Sequence, residues 1–178
     1  MIKKIVRKDI RLYCKENVTG KVVENIDKIQ LFLVGGEPLL NLKIIEFLSN
    51  KILQIARKND LEYSSDITTN GYLLNSRVFQ RLVSLKINSF QITIDGTQEY
   101  HDKQRVLKNG QGTYTRIIKN LIDIKKDIPE DTFVILRTNV GKDNYEMMDE
   151  NILNLISCLG DTENIASSTI LEIGEKKK

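Results

Sequence analysis

The sequence predicts an α/β fold that is built from repeated strand-helix units. Short runs of β-branched and aromatic residues alternate with longer segments whose apolar residues recur every three or four positions. Several of the strand-like runs stop at Gly, Asn or Asp, the residues that commonly form turns. Strands that alternate with helices favour parallel βαβ units with right-handed crossovers.

The first half of the chain predicts three strands and two helices. Residues 28–34 (KIQLFLV) form a short apolar run that stops at a Gly pair, which indicates a buried strand. Residues 39–58 carry Leu and Ile at helical spacing with Lys and Glu between them, which predicts an amphipathic helix. The pattern repeats with a strand at 61–69 and a shorter helix at 76–85, and a third strand at 87–94 stops at Asp95.

The second half continues the alternation after a polar loop. Residues 113–126 return to helical spacing, and Pro129 marks the break that follows them. A strand is predicted at 132–140 and a helix at 144–159, where Gly160 ends it. A last strand is predicted at 164–173.

The number of these units limits the architecture. About four units cannot close an eight-stranded barrel, which takes roughly 250 residues. The pattern is compatible with a partial barrel and with an open doubly wound sheet. Because no Pro-, Gly- or Ser-rich linker interrupts the 178 residues, we expect a single domain over 1–178.

Composition and charge argue against several function classes. The net charge of +3 comes from 27 basic and 24 acidic residues that are spread along the chain, so nothing predicts a nucleic-acid partner. No apolar run approaches the roughly 20 residues that span a bilayer, and the charged N-terminus lacks the apolar core of a signal peptide. We therefore expect a cytoplasmic protein without membrane contact; the sequence leaves its oligomeric state open.

The cysteine content predicts neither a disulfide framework nor a complete metal site. Cys14 and Cys158 are the only two cysteines, and they lie far apart in the sequence. Cys158 falls in an apolar, helical context, so we expect it to be buried packing.

Unusual residues follow the predicted strands, where functional groups of parallel α/β folds collect. Gly35 and Gly36 would let the backbone approach a ligand, and the Glu37 carboxylate could pair with an ammonium group. A tight turn in which Glu37 and Pro38 simply open a helix explains the same residues.

Later loops carry further candidates. Asn70 belongs to a Thr-Thr-Asn-Gly segment that also fits an ordinary turn. Arg105 offers a planar fork for a carboxylate, although a solvated loop arginine is the commoner case. His101 is the single histidine, and we expect it to be a structural hydrogen-bonding residue.

Five motifs, taken in order, resemble the radical S-adenosylmethionine (radical SAM) superfamily. They are GGEPLL, TTNGYLL, ITIDGTQEYHDKQR, the loop at 110–113 and VILRTNV. The resemblance is closest to the peptide-modifying and anaerobic sulfatase-maturating branch, whose members often carry further C-terminal (SPASM-type) cluster domains, and it is clearest over 28–140. It implies a partial (β/α)6 TIM-like barrel, here expected to be incomplete at both ends.

The resemblance also implies cofactors and their contacts. Family members bind S-adenosylmethionine on a 4Fe-4S cluster and cleave it to a radical that abstracts a substrate hydrogen, here from a peptide or protein. By the same resemblance the methionine ammonium would lie against three residues of the first loop, its carboxylate against two residues near the third strand, and the adenosine near two asparagines. These residues are Gly35, Gly36 and Glu37; Arg105 and Thr93; and Asn70 and Asn139, respectively.

The expected cluster ligands depart from the family pattern Cys-x3-Cys-x2-Cys. Cys14 matches the third cysteine and is the one surviving candidate ligand, whereas Arg7 and Arg11 stand at the first and second positions. Arginine cannot ligate iron. We therefore expect a truncated or degenerate member that does not catalyse the family's reaction; a non-catalytic binding module and a remnant of a truncated gene are the alternatives.

Overall fold

The computed structural model describes residues 27–159 and three strands outside that range. These are β1 (Ile5–Arg7), β2 (Ile10–Leu12) and β7 (Ile165–Leu171). β1 and β2 pair antiparallel, with Val6 opposite Arg11 and Arg7 opposite Ile10. Cys14 lies outside the described residues.

Five parallel strands form the main sheet. They are β3 (Lys28–Leu33), β4 (Glu62–Thr69), β5 (Ser89–Thr93), β6 (Phe133–Val140) and β7. Their order in space is β3-β4-β5-β6-β7, the same as their order in the chain. A doubly wound sheet reverses its strand order at a switch point, whereas right-handed crossovers in constant order keep all helices on one face. The sheet is therefore of the barrel type, and the open doubly wound alternative is wrong.

Helices follow the strands where the periodicity predicts them. They are α1 (Leu42–Lys58), α2 (Ser76–Ser84), α3 (Gln98–Gln104), α4 (Tyr114–Lys125) and α5 (Met148–Leu159). Short 3-10 turns at Pro38–Asn41 and Tyr145–Met147 precede α1 and α5, so these two helices begin later than predicted. α3 lies in the segment before α4 that was predicted to be a polar loop. Its residues are nearly all polar, so no apolar periodicity indicated a helix.

One face of the sheet packs against the helices and forms the apolar core. Alternate strand residues enter it, and fully buried helix residues cover them. The Phe79 ring of α2 lies 4.8 Å from the Phe90 ring of β5, centroid to centroid. The main contributors are Leu31, Leu33, Ile67, Phe90, Ile92, Val134 and Leu136 from the strands and Ile45, Phe79, Leu82, Ile117 and Leu121 from the helices.

The opposite face of the sheet is mostly polar, although Phe32, Phe133 and Ile135 also lie on it. We call it the polar face; its polar members on β3 to β6 include Gln30, Asp66, Thr68, Gln91, Thr93 and Arg137. Gln30 donates to Asp66 over 2.8 Å, and Thr68 donates to Gln91 over 3.1 Å. Because the described helices pack on the apolar face, this polar face corresponds to the interior of a partial barrel.

Cys158 lies on the exposed side of α5, so its expected burial is wrong. The buried positions of α5 are Asn151, Leu155 and Leu159, four residues apart, and Cys158 is one residue out of that phase.

In the described part of the chain no helix is both long and apolar enough to cross a bilayer.

Candidate cofactor-binding site

The Glu37 carboxylate joins the loop after β3 to the loop after β4. We call this group the Glu37 cluster. Oε1 accepts hydrogen bonds from the Leu39 amide at 3.0 Å and from the Thr69 hydroxyl at 2.7 Å, and Oε2 accepts one from the Asn70 amide at 2.7 Å. Glu37 is buried and extended, and it caps the Pro38–Asn41 turn. The predicted helix-opening role is thus present, but the carboxylate also fixes a second loop.

A tight turn at the end of β4 presents two of the three donors of the Glu37 cluster, Thr69 and Asn70. The Asn70 side-chain oxygen accepts from the Tyr72 amide at 2.9 Å. Gly71 has a φ of +75°, and a Cβ added there would lie 2.9 Å from the Ile92 side chain. Both the left-handed backbone and the close approach require glycine at this position.

A second carboxylate, Asp95, organises the loop after β5. Its Oδ2 accepts from Arg105 Nε at 2.6 Å, while its Oδ1 accepts from the Asn139 side chain at 2.9 Å and from the Asn139 amide at 3.3 Å. Together with His101, these residues form the Asp95 cluster. Two predicted binding residues, Arg105 and Asn139, are therefore held by an acid that the sequence did not mark as functional.

His101 is fully buried and makes a hydrogen bond with each ring nitrogen. Nδ1 accepts from the Asp95 amide at 3.1 Å, so the proton resides on Nε2, which lies 3.1 Å from the Thr113 hydroxyl. Thr113 in turn donates to the Arg105 carbonyl at 2.8 Å. Burial lowers the pKa of His101, and the nearby Arg105 charge lowers it further. The expectation of a structural histidine is confirmed.

Helix α4 is attached to two of these loops. Asp102 Oδ1 accepts from the amides of Thr113 and Tyr114 at 2.7 and 2.9 Å, which caps the start of α4. In the middle of α4, the buried Asn120 donates to the carbonyls of Gly71 and Tyr72 at 2.9 and 3.0 Å. Sequence reasoning missed both residues. A polar Asn on the core-facing side of a predicted helix was the available signal for Asn120.

A cleft of about 330 Å³ opens where the first three loops meet. We call it the strand-end cleft. Glu37, Asn70 and Arg105 contribute its polar groups. Its apolar lining comes from Leu40, Tyr72, Leu73, Val106 and Leu107, of which Leu40, Leu73 and Val106 are exposed. An acid and a base therefore line one partly apolar cleft. Small-molecule sites commonly combine an apolar lining with a few such polar groups.

The other predicted site residues lie around this cleft. Gly35 and Gly36 are exposed, and a Cβ added at Gly36 would meet no atom within 4 Å. Thr93 is buried at the end of β5 on the polar face and does not line the cleft. Asn139 is linked to the cleft through Asp95 and Arg105.

No metal site is visible in the described residues. Nowhere among them do three His, Cys, Asp or Glu side chains gather in a way that could hold a metal ion. The two positions that the family pattern reserves for cysteine, Arg7 and Arg11, lie in β1 and β2.

Comparisons with known proteins indicate the family of this chain. The family model of the radical SAM superfamily matches residues 8–155. The uncharacterized protein MJ0907 of Methanocaldococcus jannaschii is 28% identical over 155 residues, which are 84% of this chain and 50% of that protein. Structures of the anaerobic sulfatase-maturating enzyme anSMEcpe share the fold at 19% identity. With bound AdoMet the TM-score is 0.65 over 87% of this chain, and with AdoMet and the Kp18Cys peptide it is 0.62 over 82%.

The lengths in these comparisons differ. The chain spans half of MJ0907 and 39% of the anSMEcpe chain in both structures. The matched region nevertheless covers most of the present chain and contains every loop that lines the strand-end cleft. The chain therefore belongs to the radical SAM superfamily.

Proposed function

We propose that this chain binds S-adenosylmethionine in the strand-end cleft but does not form the 4Fe-4S cluster that radical chemistry requires. The observation that carries the proposal is that Glu37 and Arg105 line the same cleft. The methionine end of the ligand is a zwitterion whose ammonium and carboxylate share one carbon atom. A site for it needs one acid and one base that converge.

The hydrogen bonds of the cleft leave suitable groups for such a zwitterion. Glu37 accepts three bonds from uncharged donors, so a carboxylate lone pair remains, and no cation of residues 27–159 pairs with it. Arg105 uses Nε to bind Asp95, which leaves its two terminal nitrogens for a carboxylate. The open space beside Gly36 gives the ligand access to the loop backbone.

The residues present do not fit an iron-sulfur cluster. In the family the cluster supplies the electron that breaks the sulfonium bond, and three thiolates hold it. This sequence offers Cys14 at one of the three positions, and Cys158 is exposed on α5. We therefore propose a binding protein without the catalytic step. Its second ligand is a peptide or protein, because the structurally similar anSMEcpe was solved with a peptide, and we call this ligand the substrate by analogy with the enzymes of the family.

Calorimetric titration with S-adenosylmethionine tests the binding proposal. We expect Glu37→Gln and Arg105→Gln each to weaken binding by about tenfold or more, since each removes a charge-assisted hydrogen bond. Glu130→Gln and Arg116→Gln are matched controls, because both residues are exposed and outside the cleft. Unchanged affinity in both cleft variants would contradict the assigned roles.

Anaerobic reconstitution with iron and sulfide tests the absence of the cluster. We expect iron far below the four atoms of one cluster per chain, and no change in Cys14→Ser or Cys158→Ser variants. Stoichiometric iron that depends on Cys14 would show that the chain recruits other ligands, and the proposal of a non-catalytic protein would then be wrong.

A further inference from the structure

We propose that Arg137 binds a carboxylate of the substrate on the polar face of the sheet. This inference rests on the proposed function, because it assumes that the strand-end cleft is occupied by S-adenosylmethionine. It assigns an anion-binding role to a residue of the VILRTNV motif for which the resemblance implies no role.

Arg137 lies at a defined position of the sheet. It occupies β6, where its neighbours Leu136 and Thr138 are buried on the helix side and Arg137 itself is half-buried on the other. In the parallel register it pairs with Thr93 of β5 and Ser168 of β7. The Ile94 amide donates to the Arg137 carbonyl at 2.9 Å, so the backbone on which Arg137 stands is fixed to the end of β5.

The charge of Arg137 lacks a partner in the described part of the chain. Its Nε is buried and makes no hydrogen bond. Residues 27–159 place no carboxylate within ion-pair distance of it, whereas Arg81 and Arg105 are paired with Glu46 and Asp95. A partly buried guanidinium without a partner lowers the free energy of unfolding, whereas a neutral residue at the same position does not carry this cost. Such a residue at this position is therefore explained better by ligand binding than by stability.

The two acids closest to this surface do not pair with Arg137. Asp66 on the polar face accepts one hydrogen bond from Gln30 and forms no ion pair with Arg137, and Asp95 at the end of β5 is paired with Arg105 and also accepts from Asn139. Among residues 27–159, no carboxylate therefore competes with an external anion for this guanidinium. The planar guanidinium can donate two parallel hydrogen bonds to the two oxygens of one carboxylate.

The position of Arg137 favours the substrate over the cofactor as the source of this carboxylate. The ammonium and carboxylate of S-adenosylmethionine share one carbon, so the cation for that carboxylate must converge with Glu37. Arg105 lines the cleft with Glu37, and Arg137 does not. β6 lies two strands from β4, or about 9.6 Å at the usual strand spacing. A second molecule on the polar face, such as an acidic peptide, therefore fits Arg137 better.

The inference can be tested with two capped amino acids as probes. N-acetyl-glutamic acid α-amide carries one side-chain carboxylate, and N-acetyl-glutamine α-amide is its uncharged counterpart. The chemical shifts of the Arg137 Nε–H group and of the Thr93 amide report binding in a ¹⁵N NMR titration. We expect the full-length protein to bind the acid about tenfold more tightly than the amide.

Variants separate a specific site from general attraction. Arg137→Gln should remove the preference for the acid at the Thr93 amide, and Arg137→Lys should keep part of it. The exposed control Arg116→Gln should leave the preference intact. Thermal unfolding should show that Arg137→Gln is at least as stable as the parent, because the substitution removes an unpaired buried group.

Three results would overturn the inference. The first is equal affinity of the parent for the two probes, and the second is an unchanged preference in Arg137→Gln. The third is a response of the Arg137 Nε–H group to S-adenosylmethionine that its decarboxylated analogue does not produce, since the carboxylate would then be the cofactor's. Because the capped probes are titrated without cofactor, failure of S-adenosylmethionine binding and failure of this inference give different results.

Discussion

The Glu37 cluster and the Asp95 cluster are both centred on one carboxylate, but they are built from different donors. Glu37 is bound by two backbone amides and a hydroxyl, all uncharged. Asp95 is bound by a guanidinium, a side-chain amide and one backbone amide. No cation of residues 27–159 pairs with the first acid, whereas the second is paired with Arg105 and thereby holds that residue at the cleft.

This difference predicts two kinds of sensitivity. The Glu37 cluster depends on backbone geometry, because two of its three donors, Thr69 and Asn70, directly precede Gly71 at the end of β4. The Asp95 cluster depends on the charges of Asp95 and Arg105. It also depends on a neutral His101, whose Nδ1 accepts from the Asp95 amide. Substitutions that disturb either the backbone geometry of the Glu37 cluster or the charges of the Asp95 cluster can therefore test whether the two clusters are independent.

The largest effect is expected for Gly71→Ala, which should lower the free energy of unfolding by about 2 to 4 kcal/mol. The new methyl group would contact Ile92, and the backbone would have to keep a positive φ. Chemical denaturation measures the loss. Gly110→Ala is the matched control, because Gly110 has a φ of +82° but open space beside it, so about 1 kcal/mol is expected there. Equal losses in the two variants would show that the contact with Ile92 is unimportant.

A smaller effect is expected for Asp95→Asn, about 2 kcal/mol of stability, because Arg105 loses its ion pair and stays partly buried. The effect should shrink in high salt, since Arg105 is partly exposed to solvent. Asp127→Asn, at an exposed position, is the control and should be neutral. Denaturation at low and high salt measures both variants, and a loss independent of salt would mean that charge is not the basis of the Asp95 cluster.

The smallest effect concerns pH. The pKa of His101 is lowered by burial, so the folded protein keeps the ring neutral below the ordinary value of 6.5 while the unfolded chain takes up a proton. Stability should therefore fall as the pH drops below 6.5, by up to about 1 kcal/mol at pH 5.5. Comparison with His101→Gln isolates the contribution, because the chain has a single histidine. The same acid-induced loss in that variant would assign it to other groups.

The fold could be predicted from the sequence to a large extent because strand and helix periodicities are local. β3, β4 and β6 lie within one residue of their predicted bounds. The choice between a partial barrel and a doubly wound sheet could not be made from periodicity, since strand order in space is a long-range property. α3 escaped prediction because its residues are nearly all polar, which gives no apolar periodicity to detect.

The candidate site was predicted in part, for a comparable reason. Motif residues such as Glu37 and Arg105 stand at strand ends, so their convergence follows from parallel topology. The partners that hold them do not carry such a signal. Asp95 and Asp102 resemble ordinary loop acids in the sequence, and the lack of an ion pair for Arg137 among residues 27–159 can be recognised only from the placement of their side chains.

The attachment of α4 has a consequence for how the two halves of the site stay aligned. Asp102 fixes the start of this helix to the segment that carries Arg105, and Asn120 fixes its middle to the turn after β4. The helix thus acts as a rigid spacer between the acid and the base of the cleft. If a ligand draws the two charges together, we expect α4 to shift with them, so that ligand binding and the position of this helix would be coupled in both directions.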